Sequence, residues 1–190
     1  MPVDDKDKKE RKTQSKITPP KDDFYMGMLF MFGAMCKDPN GQEAAVIVDG
    51  KDRPVTWGVN FLTQPESYHS TKRLSWDPED RYLGLMTACE SVIDRALKIY
   101  LPGVSVSEPF TGHVMYSTSP PSLRAVRRSA ANGLRTIVYG PLRSQLFDEV
   151  DWAESQRLAE ICKVALKRFD GNLGWTRDRV WTLSHMYNLF

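Results

Sequence analysis

Apolar residues recur along this chain at two periods, one helical and one strand-like, and segments of the two kinds alternate. From Asp23 the positions Phe24, Met28, Met31, Phe32 and Met35 fall three and four apart, which predicts a helix with that stripe on the core. Asp22 or Asp23 suits its N-cap, and Asp38-Pro-Asn-Gly41 stops it with turn chemistry. Ala44-Ala-Val-Ile-Val-Asp49 is a short unbroken apolar run, the pattern of a buried strand. Gly50-Lys-Asp52 turns it back into Pro54-Val-Thr-Trp-Gly-Val-Asn60, its hairpin partner. A helix starting near Pro78 to Asp80 then runs to about Tyr100. Tyr82, Leu85, Met86, Cys89, Val92, Ile93, Ala96 and Leu97 share one face of it, and Pro102-Gly103 ends it. A strand over 112–118 follows, then a helix entered through Pro120-Pro121 and capped at Asn132-Gly133, then a strand over 134–139. The pattern closes with a helix over 150–169, with Trp152, Leu158, Ile161, Cys162, Ala165 and Leu166 inward, and a last strand over 179–184.

Strands alternating with helices of this length predict helices packed on a mostly parallel sheet, and the opening hairpin makes that sheet mixed. Two stretches stand outside the pattern. Residues 1–22 carry nine charges between Asp4 and Lys12 and offer only Val3 and Ile17 to a core. Burial there does not offset the entropy of ordering, so they read as a disordered tail ahead of one domain over 23–190. Residues 61–77 make a long polar loop containing Ser67, Tyr68, His69, Ser70, Lys72 and Arg73, of a length that usually serves function or moves.

Composition narrows this picture. The chain has 190 residues, 41% of them apolar, enough for one core. A net charge of +2 supplies no whole-chain attraction to nucleic acid. The cysteines are three, Cys36, Cys89 and Cys162, odd in number and far apart. That argues against a disulfide framework and for a reducing compartment. No apolar run approaches the roughly 20 residues that span a membrane, and the first residues are charged where a signal peptide would be apolar. The expectation is a cytoplasmic protein without a membrane partner.

Four segments carry a family resemblance. Cys36-Lys-Asp-Pro-Asn-Gly-Gln-Glu-Ala-Ala-Val-Ile-Val-Asp49 resembles the S-K-D-P-N-x-Q-V-G-A-V-I-V segment of deoxycytidylate (dCMP) deaminases. Gly58-Val-Asn60 resembles their G-Y-N. Thr87-Ala-Cys-Glu-Ser-Val-Ile93 lies over H-A-E-x-N-A-I. Met115 through Tyr139 is similar to the strand-helix M-Y-V-T-x-x-P-C-x-x-C-A and the strand A-G-I-K-x-V-V-Y after it. They occur in the family's order across about 24–139. The chain thus resembles a divergent member of the cytidine deaminase superfamily. The resemblance implies a three-layer α/β fold, a mixed five-stranded sheet with helices on both faces.

The departures from the family decide the expected chemistry. Such enzymes bind zinc through H-x-E and P-C-x-x-C, and the glutamate moves the proton of the metal-activated water. By position, Thr87 stands for the histidine ligand, Cys89 for the catalytic glutamate, and Ser122 and Ala125 for the two cysteine ligands. Sliding the first motif by one residue puts Glu90 at the general-base position and Ala88 at the histidine. Either way a site that needs three protein ligands lacks them. Zinc is therefore expected to be absent, and hydrolytic deamination is unsupported. Cys89 on an apolar helix face reads as a small buried hydrophobe. It has no base beside it in sequence to make it a nucleophile, and pairing with His69 would give only two metal ligands. His113 and His185 receive no role.

What the resemblance leaves is binding. The family's G-Y-N asparagine lies near the sugar and maps onto Asn60. With Thr87, Cys89, Ser122 and the backbone N–H groups at the second motif's helix start, it would line a pocket for a nucleotide or another small ligand. The same substitutions equally suit a pocket filled by side chains. The leading expectation is a catalytically inactive dCMP-deaminase-like protein, a nucleotide-binding, regulatory or scaffolding subunit of a homo- or hetero-oligomer. Two rivals stand beside it. One is a dCMP/cytidine deaminase-type hydrolase with an unorthodox site. The other is nucleic-acid binding through the tail and a basic helix face, because Arg124, Arg127 and Arg128 fall at i, i+3 and i+4. Near-neutral net charge favours a solvated or salt-bridged face instead, paired with acids such as Asp148, Glu149, Asp151 and Glu154.

Overall fold

The computed structural model describes residues 21–38, 41–63, 84–100, 107–141 and 149–171. In chain order the elements are α1 (Lys21–Gly33), β1 (Ala44–Val48), β2 (Pro54–Val59), β3 (Phe61–Leu62), β4 (Leu85–Met86), α2 (Ala88–Tyr100), β5 (Val114–Ser117), α3 (Leu123–Ala131), β6 (Thr136–Tyr139), α4 (Glu149–Ile161) and β7 (Ala165–Arg168).

All five side chains of β1 are buried. A strand buried on both faces needs a layer on each side, and the strand order shows how this is met. The sheet runs β2-β1-β5-β6-β7. β1 is antiparallel to β2 and β5, whereas β5–β6 and β6–β7 are parallel and are crossed over by α3 and α4. Side chains alternate between the faces. Ala45, Ile47, Met115 and Ile137 point toward α2, α3 and α4, meeting Ala88, Cys89, Val92, Ile93, Val126 and Ala159. Ala44, Val46, Val48, Tyr116 and Val138 point toward α1, meeting Tyr25, Met26 and Leu29. This is the mixed five-stranded, three-layer architecture that the sequence implied. Asp49 shapes the β1–β2 turn by accepting from the N–H groups of Lys51 and Arg53, each at 2.9 Å. With the Arg53 guanidinium beside it, the Asp49 carboxyl is held down at about 2. Asp52 closes the turn with φ at 61°, a conformation that aspartate tolerates.

Three expectations are corrected. The helix expected over 150–169 ends at Ile161, which is exposed. Lys163 turns the chain with φ at 56°, and Ala165–Arg168 becomes β7, the fifth strand. Pairing with β6, Thr136 to Ala165 and Ile137 to Leu166, overrides the helical spacing of Ala165 and Leu166. The strand expected over 179–184 lies outside the described residues. The second correction concerns the helix expected from residues 78–80. α2 begins at Ala88, and Leu85 and Met86 form β4, which pairs with β3. The third is the stripe on α1. Tyr25, Met26 and Leu29 face the sheet, whereas Phe24, Met31 and Met35 are exposed, and Met28 and Phe32 are half-buried. Asp22 and Asp23 sit in the first turn, where Asp22 accepts from the Tyr116 hydroxyl at 2.7 Å.

Residues 1–20 of the expected tail and 64–77 of the expected loop, His69 included, lie outside the described residues. Among those that are described, no helix is long and apolar enough to cross a membrane.

Candidate functional site

The stretch Thr87-Ala-Cys-Glu90 has the S/T-x-x-E form of a capping box, and the structure makes one. Thr87 Oγ1 accepts from the Glu90 N–H at 3.3 Å, and Glu90 Oε2 accepts from the Thr87 N–H at 3.1 Å. This fixes the start of α2. Ser122 does the same for α3. Its backbone is extended, and its Oγ accepts from the Ala125 N–H at 3.0 Å.

Glu90 joins the two helix starts. Its second oxygen, Oε1, accepts from Ser122 Oγ at 3.4 Å and lies 3.5 Å from Arg124 Nε. The carboxylate is buried at 2% exposure, whereas the Arg124 side chain is 74% exposed. Positive ends of two helix dipoles and one guanidinium therefore offset the cost of burying this charge. Arg128 and Asp94 form a second rung one turn along both helices.

Cys89 points away from this cluster into the core, at 2% exposure. Burial pushes its thiol up to about 12, against the opposing hydrogen bond to Ser117. At neutral pH it is a thiol, closed off from solvent.

Asn60 lies in a separate polar knot. Its Oδ1 accepts from the Glu43 N–H at 2.9 Å and faces the Cys36 thiol at 2.8 Å. Its Nδ2 donates to Asp38 Oδ2 at 2.8 Å and to the Gly41 carbonyl at 2.7 Å. All four hydrogen-bonding positions of the amide are in use, pinning the turn between α1 and β1.

No family model and no curated protein matches the sequence. Solved structures do match. The dCMP deaminase of cyanophage S-TIM5 in complex with dCMP and dUMP superposes with a TM-score of 0.56 at 14% identity, covering 80% of this chain and 99% of that one. Its apo form gives 0.54 at 13%, covering 80% and 100%. A structure from work on tRNA:A34 deaminases gives 0.52 at 14%, covering 83% and 98%. The chain has the cytidine deaminase fold.

Within this deaminase fold, the positions assigned to the metal's ligands fail as a zinc donor set. Thr87 Oγ1 and Ser122 Oγ are neutral hydroxyls engaged as helix caps, and Ala125 presents only a buried methyl group. Zinc takes imidazole, thiolate or carboxylate ligands, and among the described residues Glu90 is the one such group bonded to these positions. Among the described residues no group of three His, Cys, Asp or Glu side chains could hold a metal ion. The basic face of this deaminase-fold chain is also largely committed. Arg124 and Arg128 pair with Glu90 and Asp94 on α2, and Arg135 pairs with Glu108 at 2.7 Å. Arg127 is exposed.

Sequence reasoning brought Thr87, Ser122 and Ala125 to one place. It missed Glu90 as the residue joining them, although the T-x-x-E spacing was the signal.

Proposed function

We propose that this deaminase-fold protein acts by binding a nucleotide and does not carry out zinc-dependent deamination. One observation supports the reading above the others: the Glu90 carboxylate joins the helix starts on which a metal's ligands would stand. A metal cation held by anionic ligands is replaced by an anion held by cationic and dipolar donors. No water-activating ion fits there, and Cys89 offers no substitute for the missing general base.

The ligand class comes from the cyanophage enzyme, whose structure holds dCMP and dUMP. On this chain the exposed guanidinium of Arg124, beside the start of α3, is the group suited to a phosphate. Thr87 and Ser122 then support that region as the caps of α2 and α3, whereas Cys89 packs in the core and Asn60 holds its separate knot. The protein serves as a regulatory or scaffolding subunit of an oligomer.

Metal content and dCMP turnover, measured on one purified sample, test the catalytic half. The expected result is no stoichiometric zinc and no turnover. One zinc per chain, with turnover abolished by a chelator, overturns it. Calorimetric titration with dCMP and dUMP tests the binding half. Binding is expected, weakened about 10-fold by Arg124→Ala, the loss of one charge-assisted contact. Absence of binding by the intact chain sinks it.

A further inference from the structure

The two ion pairs that join α2 to α3 are unequal. Arg128 turns both terminal nitrogens of its fork toward Asp94, Nη1 at 3.3 Å from Oδ2 and Nη2 on Oδ1. That fork is spent. Arg124 meets Glu90 through Nε, at 3.5 Å, well beyond the roughly 2.9 Å of a good charge-assisted bond. Among the described residues its two terminal nitrogens have no partner, and the side chain is mostly exposed. Glu90 keeps two other donors, the Thr87 N–H at 3.1 Å and the Ser122 hydroxyl at 3.4 Å. The carboxylate is therefore seated on the two helix starts independently of where Arg124 turns.

We propose that Glu90 restrains anion binding at this site, because a phosphate on the free fork of Arg124 must share that guanidinium with the carboxylate behind it. Glu90 then sets how tightly the nucleotide of the proposed function is held, and its role rests on that reading.

Two effects of opposite sign act through Glu90. As an anchor it favours binding, by limiting where the Arg124 side chain can go. One long contact at Nε limits it little, and a mostly exposed arginine keeps most of its rotamers. As a charge it opposes binding, since it repels the phosphate and offsets the cation that the phosphate needs. The carboxylate is buried, so salt screens it less than it screens an exposed group. The charge effect prevails, and removing the charge tightens binding.

The test is calorimetric titration of the full chain with dCMP and with inorganic phosphate, at one pH and one ionic strength. Glu90→Gln removes the charge and keeps the capping box, which accepts glutamine as well as glutamate. This variant is expected to bind both ligands about 10-fold more tightly than the unaltered chain. Deoxycytidine, which lacks the phosphate, is expected to bind the two chains alike. A purely structural role for Glu90 predicts the reverse, because a loosened site binds less well. With Arg124→Ala in both chains the gain is expected to vanish. Equal or weaker binding of dCMP and phosphate by the Glu90→Gln chain overturns the proposal and leaves the nucleotide reading standing, as does a gain that persists without Arg124. No binding of either ligand by either chain sinks the nucleotide reading and the role of Glu90 with it. A second measurement needs no change at Glu90. Saturating dCMP is expected to shift the Nε–H proton signal of Arg124, identified by its loss in Arg124→Ala. An unmoved signal in a chain that binds dCMP overturns the proposal.

Discussion

On the Glu90 carboxylate meet a backbone N–H from the start of α2, a hydroxyl from the start of α3, and an arginine from the first turn of α3. Removing the carboxylate strands two buried donors, so Glu90→Ala is expected to cost about 2–3 kcal/mol. Thr87→Ala removes only the cap and is expected to cost about 1 kcal/mol. The two act on one capping box, so the double variant should cost less than their sum. Denaturant midpoints of the three variants decide this, and full additivity would show that the cap and the bridge act independently. T-x-x-E is a local pattern that marks the cap, but helical spacing upstream of it gave an expected helix start near residues 78–80 instead. The bridge was not legible in the sequence, since Ser122 and Arg124 stand 32 and 34 residues away from Glu90. Asn60 makes the same point. Its match to the asparagine of the family's G-Y-N suggested a ligand contact, and only the fold revealed that Cys36, Asp38, Gly41 and Glu43 use the whole amide.

At the scale of elements, the close approach of α2 to β2 depends on Gly58. A Cβ there would lie 2.8 Å from Ser91 Oγ and 3.0 Å from the Val92 backbone nitrogen. Gly58→Ala is therefore expected to destabilise by about 1–3 kcal/mol through overpacking. Adding Ser91→Ala should recover part of the loss and leave the part due to Val92. Thermal denaturation of the single and double variants reads this out, and full recovery would show that the backbone contact carries no cost. Both strands of the hairpin and the helix over 123–131 were legible, each having one strong period and a local stop signal. The ends of α2 and α4 were not. Leu85 and Met86 fit a helical face as well as a ribbon, and Ala165 and Leu166 continue the spacing of α4. In both cases pairing with a distant strand settled the conformation.

For the molecule as a whole, both buried thiols titrate above their ordinary value of 9.0. Burial raises Cys36 to about 11 and Cys89 to about 12. Between pH 9 and those values the folded state keeps protons that the unfolded state releases. The stabilisation is complete below pH 9 and is lost as pH rises through 11 and 12. Cys89 alone is expected to lower stability by about 1.4 kcal/mol per pH unit in that window. Urea midpoints between pH 8 and 10.5 should fall, and Cys89→Ala should flatten the decline. An unchanged slope in that variant would remove Cys89 as its source.

The sequence by itself determined the alternation of helices with strands from α1 to β6 apart from the β3–β4 ribbon, the buried first strand, and the absence of imidazole and thiolate groups at Thr87, Ser122 and Ala125. Periodicity and residue chemistry are local properties, and they can be read along a line. The tertiary structure decided which segment became the fifth strand, which side of an α1 that is apolar from Phe24 onward met the sheet, and what joined the two helix starts. Each of those depends on groups far apart in sequence competing for the same partner, and only their positions in space decide which one prevails.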